Sequence, residues 1–234
     1  MTLKLLTLDL DNTLWPVDEV IRRAEQISHA WLQEKHPDIA AGSDSAALLE
    51  LRKTLVRENP DYLHNLTALR KDALTRVFAN AGFDTTTARQ QAEQAFAVFH
   101  EARNQVKLFP DVRPVLEQLA NRYQLGALTN GNADLKKIGL DDLFAFHHSA
   151  ETIGRRKPAP DMFAAALACA GVSADQAVHM GDHPEEDVLA AQQHGFRAIW
   201  ADLLDTPWPA HLAAPAWRIR HWRELPAVLE QMDE

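Results

Sequence analysis

The sequence contains a single cysteine, Cys169, among 234 residues. One cysteine excludes an internal disulfide and is typical of a protein that works in a reducing compartment. Cys169 lies in the apolar, helix-like segment "MFAAALACAG". We therefore expect it to be a small buried core residue rather than a nucleophile.

The chain also lacks long apolar runs. No stretch approaches the ~20 apolar residues that a helix needs to span a bilayer. The first apolar run carries one basic residue, Lys4, and is interrupted at Asp9, which is unlike a secretory signal peptide. We expect a cytoplasmic protein that binds no membrane.

The sequence has fewer basic than acidic residues. There are 24 Lys and Arg against 33 Asp and Glu, and the formal net charge is −9. General nucleic-acid binding requires a basic surface, so we expect no nucleic-acid partner. A small anionic substrate remains compatible with this composition, because one site can be positive inside an acidic protein.

What the sequence does contain is a set of apolar, strand-like runs at wide intervals. They lie at residues 3–10, 124–129, 177–180 and 197–200, with weaker runs at 147–150 and 217–219. Most are continuously apolar, which is typical of strands covered on both faces. Helical patterns lie between them. The alternation predicts an α/β fold with a doubly wound, Rossmann-like parallel sheet.

Residues 15–106 interrupt this alternation with helical patterns only, at about 17–35, 45–59, 62–81 and 86–105. Such a length is too great for an ordinary crossover and predicts an inserted helical subdomain. We therefore predict a catalytic core of residues 1–14 and 107–234 and a helical domain of residues 15–106.

Polar residues follow the ends of the predicted strands, where open α/β sheets bind ligands. The first strand is followed by Asp9, Asp11 and Thr13, the second ends on Thr129, Asn130 and Gly131, and a later one is followed by Asp182 and Asp187. Lys157 stands immediately before Pro158 in "GRRKPAP". If the first strand continues through them, Asp9 and Asp11 share one face at its tip. The alternative is that "DNT" is only a turn with a helix cap.

Four aspartates and one lysine at these tips would leave a net negative site. At an effective dielectric of ~20, two like charges ~4 Å apart repel by roughly 4 kcal/mol, so the cluster calls for a cation. Carboxylate oxygens are the ligands that Mg²⁺ prefers, and neither Cys nor His stands at these tips in ligand spacing. Bound Mg²⁺ in turn favours a phosphate-bearing substrate.

These motifs resemble those of the haloacid-dehalogenase-like (HAD) superfamily. "DLDNT" matches its D-x-D-x-T signature, "LTNGN" its second motif, Lys157 its third, and "GDHPEED" its G-D-x-x-x-x-D motif, in the family's order. The helical insertion resembles the family's all-helical cap. The resemblance implies a phosphoric monoester hydrolase that acts on a small phosphorylated metabolite.

The resemblance also implies residue roles. Asp9 would be the nucleophile that becomes an aspartyl phosphate, and Asp11 the general acid and base. Thr129 and Lys157, with Asn130 and Gly131, would hold the phosphoryl group.

For the metal, the resemblance implies that Mg²⁺ binds to the Asp9 side chain, the Asp11 backbone carbonyl and Asp182. Thr13 would support the site. Asp187 would act through water or by orienting Lys157.

Several alternatives stay open at this point. Carbon–halogen-cleaving members of the family lack the second aspartate, so Asp11 argues against that chemistry. A phosphomutase of the same fold, or a non-catalytic binding protein, is the remaining alternative. Overall resemblance suggests a flavin-pathway substrate or a sugar or nucleotide phosphate, and a monomer and a homodimer are both compatible with the sequence.

Overall fold

The computed structural model describes residues 2–233. Within them, six parallel strands form one sheet in the order β3-β2-β1-β4-β5-β6. The strands are β1 Leu5–Leu8, β2 Gln124–Thr129, β3 Phe146–Ser149, β4 Ala177–Gly181, β5 Arg197–Ala201 and β6 Arg218–Ile219. This sheet, with its flanking helices, confirms the predicted α/β fold. The strand order reverses between β1 and β4, which is the point where sheets of this type bind ligands.

The central strands are apolar because they are covered on both faces. All four residues of β1 and all five of β4 are buried. In β1, Leu5 is paired with Gln124 of β2 on one side and with Ala177 of β4 on the other. The carboxyl ends of β1, β2 and β4 therefore lie side by side.

Strand β1 is shorter than the sequence predicted. It ends at Leu8 rather than at residue 10, because the chain turns at Asn12, which has a φ of 61°. The amide of Thr13 donates to the carbonyl of Leu10 within this turn. Asp9 and Asp11 thus lie beyond the strand, and the expected alternation of faces does not apply to them.

The chain folds as two compact units. One comprises the residues up to Val17 and those from Lys107 onward, and the other is Asp18–Val106. The first boundary lies three residues later than the sequence predicted, because Trp15 belongs to the α/β unit, where it is fully buried.

The Asp18–Val106 unit is helical. Its helices are α1 Val17–Lys35, α2 Pro37–Ala40, α3 Ser45–Glu58, α4 Leu66–Asn80 and α5 Thr85–Arg103, with a 3₁₀ turn at Pro60–His64. Asp44 and Asp84 cap α3 and α5 with their side chains. A single helix over 62–81 was predicted. Instead, Asn65 ends the 3₁₀ turn and its side chain accepts from the amide of Ala68, which starts α4 as a separate helix.

The α/β unit carries the remaining helices. These are α6 Val112–Ala120, α7 Leu135–Ile138, α8 Ala150–Ile153, α9 Asp161–Ala170, α10 Ala190–Gln193 and α11 Leu225–Asp233. Short 3₁₀ turns lie at Asp141–Leu143, Ala174–Gln176 and Trp222–Glu224, and a π-helical segment at Pro184–Leu189.

Cys169 is exposed in the last turn of α9, so the prediction of a buried core residue was wrong. The buried stripe of this helix runs through Met162, Phe163 and Ala166 and ends before the last turn. None of the helices within residues 2–233 combines the length and the apolar character that a membrane crossing requires.

Candidate active site

Lys157 is the centre of the polar cluster at the strand ends. Its side chain is only 1% exposed. The ammonium donates to Asp9 Oδ1 at 2.8 Å, to Asp187 Oδ1 at 2.6 Å and to the carbonyl of Leu128 at 2.6 Å. Burial disfavours the ammonium, but Asp187 and Asp9 outweigh burial and raise the pKa of Lys157 above its usual range. The lysine is therefore a fixed positive charge with an acceptor for each of its three hydrogens.

Three carboxylates surround this charge. One oxygen from each of Asp9, Asp182 and Asp187 lies within 4.8 Å of the others. Burial raises the pKa of Asp9 well above its ordinary value, Lys157 opposes this shift, and Asp187 and Asp182 add to it. Burial and the charge of Asp187 raise the pKa of Asp182 to about 7. Two of the three carboxylates thus carry negative charge at a free-energy cost that a cation would remove.

Asp187 differs from the other two carboxylates. Burial would raise its pKa, but Lys157 and His179 outweigh burial and hold the pKa of Asp187 below its usual range. Its Oδ1 accepts from Lys157 and from His179, and its Oδ2 accepts from the amide of His183 at 3.0 Å. Since Lys157 and His179 already stabilise the negative charge of Asp187, whereas the pKa values of Asp9 and Asp182 are raised, Asp9 and Asp182 are the better metal ligands. The predicted role of Asp187 in orienting Lys157 matches these contacts and stays a prediction.

Asp11 lies apart from this group. The buried indole of Trp15 donates from Nε1 to Asp11 Oδ1 at 2.9 Å, and Asp11 is not among the clustered carboxylates. Because β1 ends at Leu8, the condition under which strand geometry would place Asp9 and Asp11 on one face is not met. The two carboxyl groups have different surroundings, which suits two different chemical roles.

Thr13 contacts Asp9, and Thr129 and Gly131 follow Leu128, whose carbonyl accepts from Lys157. The hydroxyl of Thr13 donates to Asp9 Oδ2 at 3.4 Å. Thr129 is fully buried at the end of β2, and its Oγ1 accepts from the amide of Gly131 at 2.9 Å. This loop brings a hydroxyl and a backbone turn to the same edge as Lys157.

Asn130 holds the lysine segment in place. Its Oδ1 accepts from the amide of Lys157 at 2.7 Å, and its Nδ2 donates to the carbonyl of Lys157 at 3.0 Å and to Glu186 Oε2 at 2.8 Å. Glu186 also pairs with Arg156 at 2.5 Å. The side chain of Asn130 is thus engaged by protein, and its predicted contact with substrate stays a prediction.

His179 was missed by the sequence reasoning. It lies in β4, paired in register with Thr7 of β1, and both are buried. Burial lowers the pKa of His179 despite the neighbouring Asp187, so the ring is neutral and Nε2–H donates to Asp187 Oδ1 at 3.1 Å. Its Nδ1 lies 2.9 Å from Thr7 Oγ1. A polar pair inside two otherwise apolar strands was the available signal.

Gly181 was also missed as a determinant of the site. A Cβ atom at this position would lie 2.3 Å from Cγ of Asp187. Glycine is therefore required for the close approach of Asp187 to the end of β4. Two residues after Gly181, Nδ1 of His183 accepts from the amides of Glu185 at 3.3 Å and Glu186 at 3.1 Å, and so caps the π-helical segment.

A family model described as haloacid dehalogenase-like hydrolase matches residues 3–195. The chain belongs to the haloacid dehalogenase-like hydrolases. This confirms the resemblance drawn from the four motifs, and it establishes a hydrolase of the HAD family.

Named relatives cover nearly the whole HAD chain. The 5-amino-6-(5-phospho-D-ribitylamino)uracil phosphatase of Escherichia coli is 32% identical over 212 residues, which is 88% of each chain. The phosphoserine phosphatase of Thermus thermophilus is 29% identical over 229 residues, covering 86% of this chain and 89% of its own.

A solved structure described as a 2-haloacid dehalogenase from Pseudomonas syringae superposes with a TM-score of 0.93 at 42% identity, covering 98% of this chain and 99% of that chain. The names of these similar HAD proteins therefore divide between phosphate-ester and carbon–halogen chemistry. The choice between phosphate-ester and carbon–halogen chemistry therefore rests on the residues of the site.

Proposed function

We propose that this HAD hydrolase is a Mg²⁺-dependent phosphatase of small phosphorylated metabolites that works through an aspartyl-phosphate intermediate. The observation that carries the proposal is the presence of two aspartates with separate surroundings. Asp9 is bound to Lys157 at 2.8 Å, and Asp11 is bound to Trp15 at 2.9 Å.

The residues of the cluster fit a magnesium ion. Three buried or half-buried carboxylates face one lysine, and the raised pKa values of Asp9 and Asp182 mark a shortage of positive charge. The side chains of Asp9 and Asp182 and the backbone carbonyl of Asp11 would hold the ion, all through the oxygen ligands that Mg²⁺ prefers. When bound, the ion would neutralise charge on the phosphoryl oxygens.

Asp9 supplies the nucleophile in this proposal. A carboxylate oxygen of Asp9 attacks phosphorus, the new oxygen–phosphorus bond forms, and the bond to the leaving oxygen breaks. The carboxyl group of Asp11 gives its proton to that leaving oxygen. Asp11 then takes a proton from the water that attacks the aspartyl phosphate, which releases inorganic phosphate and restores Asp9.

The remaining site residues hold the transferring group. Thr129, Gly131 and Asn130 bring a hydroxyl and backbone amides to the strand edge, and Lys157 supplies the positive charge. Thr13 orients Asp9 through its hydroxyl, and Asp187 orients Lys157.

Dehalogenase chemistry is the specific competitor, because of the similar solved structure. A halide leaves without a proton, so that reaction has no use for a second carboxylic acid beside the nucleophile. In this chain Asp11 is present and its carboxyl group is oriented by a buried tryptophan. This arrangement supports phosphate esters, whose alkoxide leaving groups need a proton.

The names of the relatives support a narrower proposal. A flavin-pathway phosphate, such as a ribitylaminouracil phosphate or flavin mononucleotide, comes first, and sugar or nucleotide phosphates come next. We further propose that the helical unit serves as the cap, and that the protein works in the cytoplasm as a monomer or homodimer.

The test is a parallel assay of two products. Purified protein is incubated with Mg²⁺ and either a panel of phosphorylated metabolites or L-2-chloropropionate, and free phosphate and chloride are measured. The proposal expects phosphate release that EDTA abolishes and Mg²⁺ restores, with Ca²⁺ a poor substitute. Chloride release without phosphate release would show a dehalogenase. Isomerised sugar phosphates would show a mutase, and no turnover of any substrate would favour a binding protein.

A further inference from the structure

The helical unit contains a pair of arginines that share one carboxylate oxygen. Nη2 of Arg52, on α3, lies 2.9 Å from Glu25 Oε1, and Nη1 of Arg70, on α4, lies 3.3 Å from the same atom. The side chains of Arg52 and Arg70 are only 12% and 19% exposed. Two largely buried positive charges are thus matched by a single negative one.

Most hydrogen-bond donors of Arg70 have no acceptor within residues 2–233. A guanidinium carries five N–H donors. Among the described residues, Arg70 makes one hydrogen bond to an acceptor, the long one to Glu25. The rest of the group packs over the ring of Phe99, with Cζ 3.9 Å from the ring centroid. Arg70 has no nitrogen among the fully buried, unpartnered polar atoms of residues 2–233, so its remaining N–H groups are accessible at the cavities that Arg70 lines.

Arg52 and Arg70 line two cavities of the helical unit. The smaller cavity is also lined by Ser28, Ser45 and His29. Nδ1 of His29 is buried and lacks a hydrogen-bond partner within residues 2–233. The rest of the lining of this cavity is Glu25 and the apolar residues Leu48, Ala73, Leu74, Phe96 and Phe99. His29 and the two arginines therefore supply hydrogen-bond donors or acceptors to a mostly apolar cavity.

The larger cavity is a groove of about 620 Å³, within the size range of small-molecule sites. Its apolar lining consists of Leu49, Val56, Leu63, Leu66 and Leu69. Leu49 and Leu63 are two of the large apolar side chains that the described part of the chain leaves exposed. An apolar floor with a charged end fits a ligand that has one apolar and one charged part.

The charge of the groove is opposite to that of the whole protein. Four basic residues line it, Arg52, Lys53, Arg57 and Arg70, against a single acidic one, Glu50. Glu50 pairs with Lys53 at 2.7 Å. The protein as a whole carries a formal charge of −9. Burial, and next the charge of Arg52, lower the pKa of Arg70 to about 9. An anion beside the two arginines would offset the repulsion between their charges.

We infer that Arg52 and Arg70 bind the oxyanion of a small organic acid, whose apolar part lies along Leu49, Leu63 and Leu66. The planar guanidinium of Arg70 offers paired N–H donors that match a carboxylate, sulfonate or phosphate group. Both arginines belong to the helical unit, whereas Asp9 and Lys157 belong to the α/β unit, and the inference does not depend on the proposed phosphatase chemistry.

The test is calorimetric titration of the full chain with 4-bromobenzoate and benzenesulfonate, with the uncharged 4-bromobenzyl alcohol for comparison. Wild-type protein is expected to bind both anions and not the alcohol. Arg70→Gln is expected to weaken anion binding by about 10-fold or more, because one charge-assisted pair is lost. Arg70→Lys keeps the positive charge but not the paired N–H donors of the guanidinium, so it is expected to lose less affinity than Arg70→Gln does.

Arg76→Gln is the matched control. Arg76 lies on the same helix, is 42% exposed, and pairs with Glu58 on the surface at 3.0 Å. This variant is expected to bind the anions as the wild type does. Circular dichroism of every variant verifies the helical fold, and Arg70→Lys serves for the comparison if Arg70→Gln does not fold.

Crystals soaked with 4-bromobenzoate locate the site, since bromine gives an anomalous signal. The inference expects the bromine peak beside Leu49 and Leu63 and the carboxylate at Arg70. A bromine peak at Lys157, or no heat of binding in the wild type, would overturn the inference. It would also be overturned if the folded Arg70 variants bound the anions as tightly as the wild type does, or if the alcohol bound as tightly as the anions. Phosphate release is measured separately, so failure of the phosphatase proposal would be recognised independently.

Discussion

Nε2 of His179 and Nζ of Lys157 bind the same oxygen of Asp187, at 3.1 Å and 2.6 Å. His179 is itself held by Thr7 at 2.9 Å. The sheet interior thus fixes Asp187, and Asp187 fixes the ammonium that faces Asp9. The position of the Lys157 ammonium therefore depends on a histidine that belongs to none of the four motifs.

Replacing His179 by Leu is expected to lower kcat by about 10–100-fold, the range found when an outer partner of a site is removed. KM is expected to change little, because Lys157 keeps its charge. His179→Gln, which retains a donor, should recover part of kcat and separate positioning from simple loss of packing. Steady-state assays with p-nitrophenyl phosphate, together with urea unfolding, provide the measurement. A wild-type kcat in a folded His179→Leu protein would show that His179 does not position Lys157 through Asp187.

Gly181→Ala is expected to inactivate the enzyme. The added Cβ would lie 2.3 Å from Asp187 Cγ, so Asp187 must move and Lys157 loses a partner. Gly42→Ala is the matched control, because the nearest atom to its added Cβ is a carbonyl oxygen at 4.0 Å. If the folded Gly181→Ala protein turned over substrate as fast as Gly42→Ala, the close approach of Asp187 to position 181 would not be needed.

Mg²⁺ affinity is expected to depend on pH. Burial and the Asp187 charge raise the pKa of Asp182 to about 7, and a protonated carboxyl group does not bind the ion. Affinity therefore falls as pH decreases through about 7 and rises above it, with proton release on binding. Titration calorimetry at about pH 6 and about pH 8 should show a difference of about 10-fold. Asp182→Asn should bind weakly at both, and equal affinity of the wild type at both would contradict the prediction.

Asp11→Asn is expected to affect substrates unequally. Sugar phosphates have poor leaving groups that need a proton, so their turnover should fall by ~10²–10⁴-fold, the usual contribution of general acid catalysis. Turnover of p-nitrophenyl phosphate should fall less in its first step, with a burst followed by slow hydrolysis. Trp15→Phe, which removes the hydrogen bond to Asp11, should show the same selectivity in weaker form. Rapid-quench kinetics measure this, and equal losses on both substrates would remove the acid and base role of Asp11.

Much of the fold follows from local sequence. The continuous apolar runs at β2, β4 and β5 gave their positions, because strands covered on both faces have no polar face to obscure the pattern. The family followed from short motifs at strand ends. The end of β1 was placed wrongly, since the turn at Asn12 depends on hydrogen bonds that the pattern of apolar residues does not show.

The parts of the site that the sequence did not reveal depend on tertiary contacts. Asp187 approaches Gly181 and His179 because β4 and the π-helical segment pack together, and no local pattern encodes that distance. The same holds for Trp15 with Asp11, and for Arg52 and Arg70, which meet at Glu25 from three different helices. Local sequence patterns do not predict such contacts, because the contacts depend on how the chain folds.

The proposed phosphatase chemistry requires that Asp9 becomes phosphorylated. Wild-type protein is mixed with Mg²⁺ and p-nitrophenyl phosphate, quenched in acid within the first turnover, digested, and analysed by mass spectrometry. The account predicts one phosphoryl group on the peptide that contains Asp9, sensitive to hydroxylamine and absent from Asp9→Asn. Phosphate release within the first turnover without a phosphorylated Asp9 at any quench time would contradict it.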